Sequence, residues 1–186
     1  MQMRRSRFMT GLYLHTALVA AAAAIWCSGL TSLLFAKPAT NATTATYVTT
    51  AEIDAALRQM PPTSTTSDKP IKTIDTGAYK VTIVAVRRIP SKTADSGLVH
   101  NRVTELYQIL TGAGMLETGG ALVDGQPVDL TSEAAGPSAR GTIQGGESRR
   151  IGPGDVVVIP PGVPHRFSEL EGTITYLITR IEARRP

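Results

Sequence analysis

The segment from Gly154 to His165 has the residue types and spacing best suited to chemistry in this sequence. It contains a turn, four apolar residues from Val156 to Ile159 that predict a buried strand, a stiff Pro160-Pro161-Gly162 corner, and then the histidine. A histidine held directly after such a corner loses little conformational entropy when it meets a ligand. The pattern therefore favours His165 as a ligand-binding side chain.

The same segment resembles the second motif of the cupin superfamily. In that motif Gly, five residues, Pro, one residue, Gly, two residues and His are followed four positions later by Asn. Gly154, Pro160, Gly162 and His165 match these positions, whereas Glu169 stands in the place of the Asn. Four matches at fixed spacing make this resemblance specific.

An upstream stretch resembles the first cupin motif, which reads His, one residue, His, three or four residues, Glu, six residues and Gly. His100, Glu105 and Gly112 occupy three of these positions. Leu98 stands where the first histidine would be. One ligand position of the motif is therefore lost.

The resemblance covers roughly residues 80 to 180 and implies a double-stranded β-helix, in which two antiparallel sheets roll into a barrel. It also implies that the motif residues point into the barrel and bind a divalent metal ion such as zinc, iron, manganese or nickel. Carried over to this sequence, the metal ligands are His100, Glu105 and His165. Two imidazoles and one carboxylate can hold such an ion while leaving positions open for water or substrate.

Each of these ligands also has an interpretation without metal. His100 could lie in a surface loop, Glu105 could be a charge at the edge of a strand, and His165 could be hydrogen-bonded within its turn. Leu98 adds a further alternative, in which the barrel keeps its shape but binds no metal. The residues by themselves leave these alternatives open.

The strand that follows the first motif predicts which residues surround the site. Tyr107 and Ile109 share strand parity with Glu105 and should face the barrel interior, whereas Gln108 should face outward. Tyr107 could therefore hydrogen-bond a metal ligand or pack in the core.

Other residues near the motifs are weaker candidates. Arg87 and Tyr176 could reach the cavity, or could serve only in packing or lie at the surface, while Phe167 and Leu177 are assigned to the core. Glu169, together with the tyrosine of the motif strand, is a candidate general acid or base beside the metal.

The chain around the motifs consists of short β-branched runs separated by Gly and Pro, which is typical of an all-β sandwich or barrel. The Gly-, Pro-, Ser- and Ala-rich stretch at 124–141 is predicted to be a partly ordered insertion between strands. Strands are predicted at Lys72 to Thr76, Tyr79 to Arg88, Val103 to Leu110, Gly114 to Leu116, Val156 to Ile159 and Thr173 to Ile181. The predicted fold class is thus all-β, a cupin-type jelly-roll barrel.

One short helix is predicted before the barrel. Thr49 and Glu52 have the spacing of a capping box, and apolar residues follow at helical intervals up to Met60. Two prolines should end this helix, and residues 63–70 are predicted to form a polar loop. The predicted organisation is a linker with a short helix at 37–70 and a barrel domain at 71–186.

The first 36 residues have the layout of an export signal. Arginines at positions 4, 5 and 7 precede an apolar run from about Leu12 to Ala36. This run is also long enough to span a bilayer, so a cleaved signal peptide or an uncleaved anchor is expected, with the barrel in the periplasm. Cys27, the single cysteine, lies in this run, which excludes disulfides and thiolate metal sites from the mature domain.

Charge argues against a nucleic-acid partner. The formal charge of +4 includes the three N-terminal arginines, and without them it falls to +1. A balanced domain with no clustered basic face gives no reason to propose nucleic-acid binding.

The resemblance implies a site but no substrate, because cupins include oxygenases, isomerases, decarboxylases and sugar-binding modules. We expect either a metal-dependent enzyme of one of these types acting on a small organic molecule, or a non-catalytic small-ligand-binding or sensing barrel. The membrane is an expected partner only through the N-terminal segment, if that segment stays uncleaved. A homodimer is also expected, with two copies pairing through the early strand at Lys72 to Thr76.

Overall fold

The computed structural model describes residues 44–91 and 96–184. The predicted export segment at 1–36, including Cys27, lies outside the described residues, and so does the first part of the predicted spacer. Within the two described ranges, no helix is both long and apolar enough to cross a membrane.

Eleven strands and one α-helix make up the regular structure of the described residues. The helix, α1, spans Thr50–Arg58, and a short 3-10 turn spans Thr131–Glu133. The strands are β1 Thr66–Asp75, β2 Tyr79–Arg88, β3 Gly97–His100, β4 Val103–Thr111, β5 Gly114–Thr118, β6 Ala121–Leu130, β7 Gly136–Gln144, β8 Glu147–Ile151, β9 Val156–Ile159, β10 His165–Leu170 and β11 Ile174–Ala183.

The strands form two antiparallel sheets. One sheet has five strands in the order β1-β2-β11-β4-β9, and the other has six in the order β6-β7-β3-β10-β5-β8. Strands distant in sequence pair in both sheets, as β2 does with β11 and β3 with β10. This is the two-sheet jelly-roll barrel of a double-stranded β-helix, and it confirms the predicted fold class.

The core lies between the two sheets and follows the two-residue period of the strands. Apolar side chains from the inner faces of both sheets form one buried cluster, to which Val84, Val86, Tyr107, Ile109, Leu116, Ile151, Ile159, Phe167, Ile174, Tyr176 and Ile178 belong. Burial of each large apolar side chain stabilises the fold by roughly 1.5–3 kcal/mol. The cluster therefore holds together the two sheets that carry the motif residues.

The helix α1 packs against the outer side of the five-stranded sheet. Its predicted capping box is present, because Glu52 N donates to Thr49 Oγ1 over 3.3 Å and Thr49 N donates to Glu52 Oε2 over 2.7 Å. Ala56 of the helix lies in one cluster with Ala85 of β2. Leu177, which was assigned to the core, is half-buried against this helix cluster and lies outside the space between the sheets.

The polar loop predicted at 63–70 is wrong from Thr66 onward, where β1 begins. Thr66 lies opposite Arg88 of β2, and the register shifts between Pro70 and Lys72. Proline is tolerated at such an irregularity of an edge strand, because no ladder hydrogen bond needs its missing N–H. The position of β1 at a sheet edge is the one expected for pairing of two copies, and that pairing stays a prediction.

The insertion predicted at 124–141 is also wrong, because most of these residues belong to two paired strands that a short turn connects. β6 pairs with β7 from Ala121 opposite Gln144 to Leu130 opposite Gly136. β6 lies at the edge of its sheet and contains a register shift. A bulged edge strand accepts Gly and Pro, so the composition did not reveal the strand.

The strand predicted as buried after Gly154 is half exposed. Val156 and Val158 are each 58% exposed, whereas Ile159 is buried. The reason is the position of β9 at one edge of the five-stranded sheet. The helix α1 packs near the other edge, against β1 and β2, and leaves the outer face of β9 exposed. Three further strands, β3, β8 and β10, had not been predicted, since they are short or mostly polar.

Gly112→Ala should destabilise the barrel by about 2 kcal/mol or more. The φ of Gly112 is +75°, and an added Cβ would lie 2.2 Å from the carbonyl oxygen of Thr173, so the backbone would have to shift. Gly162→Ala is the matched control, because its φ is +81° but an added Cβ would meet nothing within 4 Å. Urea denaturation should show the larger loss for Gly112→Ala, and equal losses would contradict the steric explanation.

Candidate metal centre

His100, Glu105 and His165 meet in the interior between the two sheets. His100 ends β3 and His165 begins β10 in the six-stranded sheet, while Glu105 lies in β4 of the other sheet. The three residues are 3%, 1% and 4% exposed, respectively. One ligand atom from each lies within 4.8 Å of the others. The structure therefore brings the three predicted ligands together, and His100 is not a surface-loop residue.

The Pro-Gly corner after β9 positions both histidines. Gly162 N donates to His100 O over 2.8 Å, and Gly119 N donates to Pro164 O over 2.9 Å. Gly162 has a φ of +81°, which glycine adopts without steric cost. The corner thus ties the start of β10, where His165 lies, to the end of β3.

Hydrogen bonds fix the tautomer of His100. Ser138 Oγ donates to Gly136 O over 3.0 Å, so its oxygen accepts from His100 Nδ1 over 2.7 Å. Burial lowers the pKa of His100 to about 4, although the charge of Glu105 acts in the opposite direction. The ring is therefore neutral at pH 7, and its Nε2 carries a lone pair. This atom is buried and has no hydrogen-bond partner among the described residues.

His165 directs the same ring atom at Glu105. Its Nδ1 lies 3.1 Å from Val163 O, and because a carbonyl oxygen only accepts, Nδ1 carries the proton. His165 Nε2 faces Glu105 Oε2 at 3.3 Å, and His100 Nε2 faces Glu105 Oε1 at 3.4 Å. Two imidazoles thus converge on one carboxylate while the protein holds their Nδ1 protons, as is usual for metal-binding histidines.

Two further side chains hold the Glu105 carboxylate. Tyr107 Oη donates to Glu105 Oε2 over 3.0 Å, and Arg180 Nε donates to Oε1 over 2.7 Å. Arg180 is only 4% exposed and also pairs with Asp68 Oδ2 at 3.0 Å. Burial alone would raise the pKa of Glu105, but the adjacent His165 and the charge of Arg180 hold it well below its usual range. The carboxylate is therefore ionised at neutral pH.

This donor set fits a divalent cation. A neutral imidazole with its Nε2 lone pair towards an ionised carboxylate is an unfavourable arrangement unless a proton or a cation lies between the two groups. Each oxygen of Glu105 retains lone-pair capacity beyond its bonds to Tyr107 and Arg180. Two nitrogens and a carboxylate are ligands that zinc, iron, manganese and nickel accept.

Acid should destabilise the metal-free protein as the pH falls from about 6.5 to about 4, the ordinary and the native pKa of His100. In this range the unfolded chain binds a proton at His100 that the native state does not bind, so stability falls with pH by on the order of 3 kcal/mol. The depressed pKa of Glu105 extends the loss to lower pH.

Urea denaturation of chelator-treated protein over this pH range measures the effect. His100→Gln removes the titrating ring and is the control, so its stability should vary less over the same range. A wild-type stability that stays constant from neutral pH to pH 4 would contradict the burial of a neutral His100.

The parity predicted for β4 is confirmed. Glu105, Tyr107 and Ile109 are buried, whereas Gln108 is exposed. Tyr107 combines both of its predicted roles, since its ring lies 4.9 Å from the ring of Tyr176 and its hydroxyl donates to Glu105. Burial raises the pKa of Tyr107 well above its ordinary value, so the hydroxyl keeps its proton.

Two of the weaker candidates, Arg87 and Glu169, do not reach the site. Arg87 lies on the face of β2 that packs on the helix and donates to Pro61 O, and it is the neighbouring Arg88 that donates to Tyr176 Oη over 2.9 Å. Tyr176 is fully buried in the core. Glu169 is exposed beyond a register shift in β10, so it is not available as a general acid or base beside the ligands.

Three residues around the site had not been predicted: Arg180, Asp68 and Ser138. Arg180 had a signal in the sequence, because it continues the inward parity of Tyr176 and Ile178, where a charge requires a buried partner. Asp68 and Ser138 had none, since they lie in segments predicted to be a loop and an insertion.

Comparison with known proteins gives likeness of structure only. No protein-family model matches the sequence, and no curated protein matches it. Among solved structures, the chain is similar to KdgF from Halomonas sp., with 17% identity over 76% of this chain and 96% of that chain and a TM-score of 0.47. It is also similar to Peruvianin-I, a cysteine peptidase from Thevetia peruviana latex, with 17% identity over 75% of this chain and 77% of that chain and a TM-score of 0.45.

A third similar structure is the DMSP lyase DddQ from Ruegeria pomeroyi, with 20% identity over 54% of this chain and 37% of that chain and a TM-score of 0.35. At this level of similarity, none of the three proteins indicates an activity for this chain.

The strand order and the placement of the motif residues decide the fold. Two antiparallel sheets enclose the barrel interior, into which His100, Glu105 and His165 point. The motif glycines Gly112 and Gly162 both have the positive φ that favours glycine. The chain therefore has the cupin fold, as its two motifs predict.

Proposed function

We propose that this chain is an exported, metal-dependent cupin enzyme that acts on a small organic molecule. The proposal is carried by one observation, the convergence of Nε2 of His100 and His165 on the Glu105 carboxylate while both Nδ1 atoms are held by other groups. Zinc or iron is the proposed metal, with manganese and nickel as alternatives.

His100, Glu105 and His165 would hold the ion, which would supply a Lewis acid that polarises a bound oxygen. Ser138 and Val163 keep the imidazoles oriented through their Nδ1 protons. Oxygenation, isomerisation and decarboxylation are the proposed reaction types, since a three-ligand site leaves coordination positions open for a substrate.

A second candidate function is a non-catalytic, small-ligand-binding or sensing barrel without metal. It is favoured by the contact of Arg180 Nε with Glu105 Oε1 at 2.7 Å, because the carboxylate already has a cationic partner. Leu98, which stands where the motif has a histidine, also favours the metal-free candidate. The two candidates differ in whether the protein purifies with a stoichiometric metal ion.

Elemental analysis of full-length protein purified from its native compartment tests the proposed function. Wild type should contain about one zinc or iron ion per chain, and His165→Ala should contain far less, because it loses one of three ligands. Arg149→Gln, which changes an exposed arginine of β8, is the control and should retain the metal. A wild type without stoichiometric metal would favour the metal-free binding barrel.

Export is the part of the proposal that rests on the sequence alone. The N-terminal arginines and the apolar run from about Leu12 to Ala36 support it. Fractionation of cells should recover the barrel from the periplasm or from the periplasmic face of the inner membrane. Recovery from the cytoplasm would contradict it.

A further inference from the structure

A small cavity adjoins the candidate metal centre. Its volume is about 70 Å³, and its lining includes His165 and Tyr107 of the centre. Since one water requires roughly 10–15 Å³ of such space, the cavity has room for several waters or for a small organic group. Three arginines, Arg88, Arg140 and Arg166, contribute to the lining, and none of the lining residues that the structure describes is Asp or Glu. The described part of the lining is therefore rich in basic side chains.

Arg140 is an exposed residue of β7 that lines the cavity, on the same strand face as the buried Ser138 and next to the lost ligand position. It shares strand parity with Ser138, whose hydroxyl bonds His100, and it lies opposite Leu98 in the β3–β7 pairing. Leu98 itself lies opposite His165. The face on which the motif expects another histidine thus holds a leucine and an arginine. The charge of Arg140 also contributes to the lowered pKa of His100, which agrees with their proximity.

Arg140 forms no ion pair with any residue of the ranges 44–91 and 96–184, in contrast to Arg166, which pairs with Glu117 Oε2 at 2.6 Å. A guanidinium at a cavity with no carboxylate partner among the described residues can bind an anionic ligand by charge-assisted hydrogen bonds. Arg140 is therefore the residue of this lining best placed to bind an anion.

Arg88 supplies a second, pre-oriented guanidinium. Its Nε donates to Tyr176 Oη over 2.9 Å, its Nη1 donates to Thr66 Oγ1 over 3.2 Å, and its Cζ lies 5.5 Å from the centre of the Phe167 ring. Phe167 and Leu116 give the cavity an apolar side as well. An apolar side next to fixed cations suits an organic anion better than an inorganic one.

We propose that this cavity binds the carboxylate group of a small organic acid, with Arg140 and Arg88 as hydrogen-bond donors and the short hydrocarbon part against Leu116 and Phe167. The inference that the bound acid is the substrate rests on the proposed function, because it places the carboxylate beside the metal ligands. Binding of the acid itself does not require metal, since both donors belong to the protein.

Nuclear magnetic resonance titration of metal-depleted, full-length protein at low salt tests the assignment. Propionate should bind, and propionamide, which has nearly the same shape without the charge, should bind at least about tenfold more weakly. Arg140→Gln should weaken propionate binding about tenfold. Arg149→Gln, which changes an exposed arginine of β8 outside this cavity, is the matched control and should leave the affinity within about twofold.

Three outcomes would overturn the assignment: equal affinities for propionate and propionamide, equal effects of the two arginine variants, or inorganic phosphate binding as tightly as propionate. The metal content of the same preparation before depletion separates this assignment from the proposed function. Propionate binding by a protein that purifies without metal would uphold the subsite and contradict the metal-dependent enzyme. A metal-containing protein that does not distinguish propionate from propionamide would contradict the subsite alone.

Discussion

Zinc at a hundredfold excess over its dissociation constant should stabilise the metal-depleted protein by about 2.7 kcal/mol, and at a thousandfold excess by about 4.1 kcal/mol. The reason is that the ligand atoms meet only in the native state, where His100 and Glu105 come from different sheets and His165 follows a separate corner. An ion bound there stabilises the folded chain relative to the unfolded one. Chelation of the metal should correspondingly lower the melting temperature of the purified wild type.

The three ligand variants make this prediction specific. His100→Ala, Glu105→Gln and His165→Ala should each weaken zinc binding and reduce the shift caused by chelator, whereas Arg149→Gln should not. Because the ligands bind metal only when deprotonated, zinc should be released as the pH falls through the range in which histidine protonates. A melting temperature that chelator leaves unchanged in the wild type would contradict the three-ligand site.

Arg180→Met should destabilise the barrel by about 3–5 kcal/mol, because it leaves the buried carboxylate of Glu105 and the partly buried carboxylate of Asp68 without their shared cation. Arg180 is 4% exposed and joins Glu105 of β4 to Asp68 of β1, at 2.7 Å and 3.0 Å respectively. Burial makes an unpaired charge costly, and methionine fills a similar volume, so the expected loss comes from the charge rather than from a cavity.

Denaturation by urea measures this loss, and two variants test its cause. Arg184→Gln breaks an exposed ion pair with Asp75 and should cost less than about 1 kcal/mol. Adding Glu105→Gln to Arg180→Met should recover part of the stability, since it removes one of the unpaired charges. If Arg180→Met cost no more than Arg184→Gln, the buried network would not be the support of the site that its geometry indicates.

The local patterns of the sequence predicted well those features that depend on near neighbours. The capping box at Thr49 and the alternation of Glu105, Tyr107 and Gln108 in β4 are set by interactions within a few residues, and both are observed. The motif spacing also predicted which three residues meet. The Pro-Gly corner restricts the backbone directly before His165 through local sterics, and this restriction does not depend on distant contacts.

The wrong predictions have a common cause, because no local segment of the sequence specifies the order of the strands in a sheet. Val156 and Val158 look like core residues, but β9 is an edge strand and its outer face is exposed. The residues at 124–141 look like an insertion, but β7 finds its partner in β3 and becomes part of the barrel wall. Local composition describes which conformations a segment tolerates, and its neighbours in the sheet decide which one it adopts.

The sequence by itself determined the fold class, the short helix and the identity of the three converging residues, because two spaced motifs and a capping box specify them. Only the tertiary structure decided what surrounds those residues. Arg180 reaches Glu105 across 75 positions of sequence and Asp68 across 112, and Arg140 comes to lie beside the triad only because β7 pairs with β3. Contacts between positions so far apart arise from strand pairing in the folded barrel, so no local pattern could reveal them.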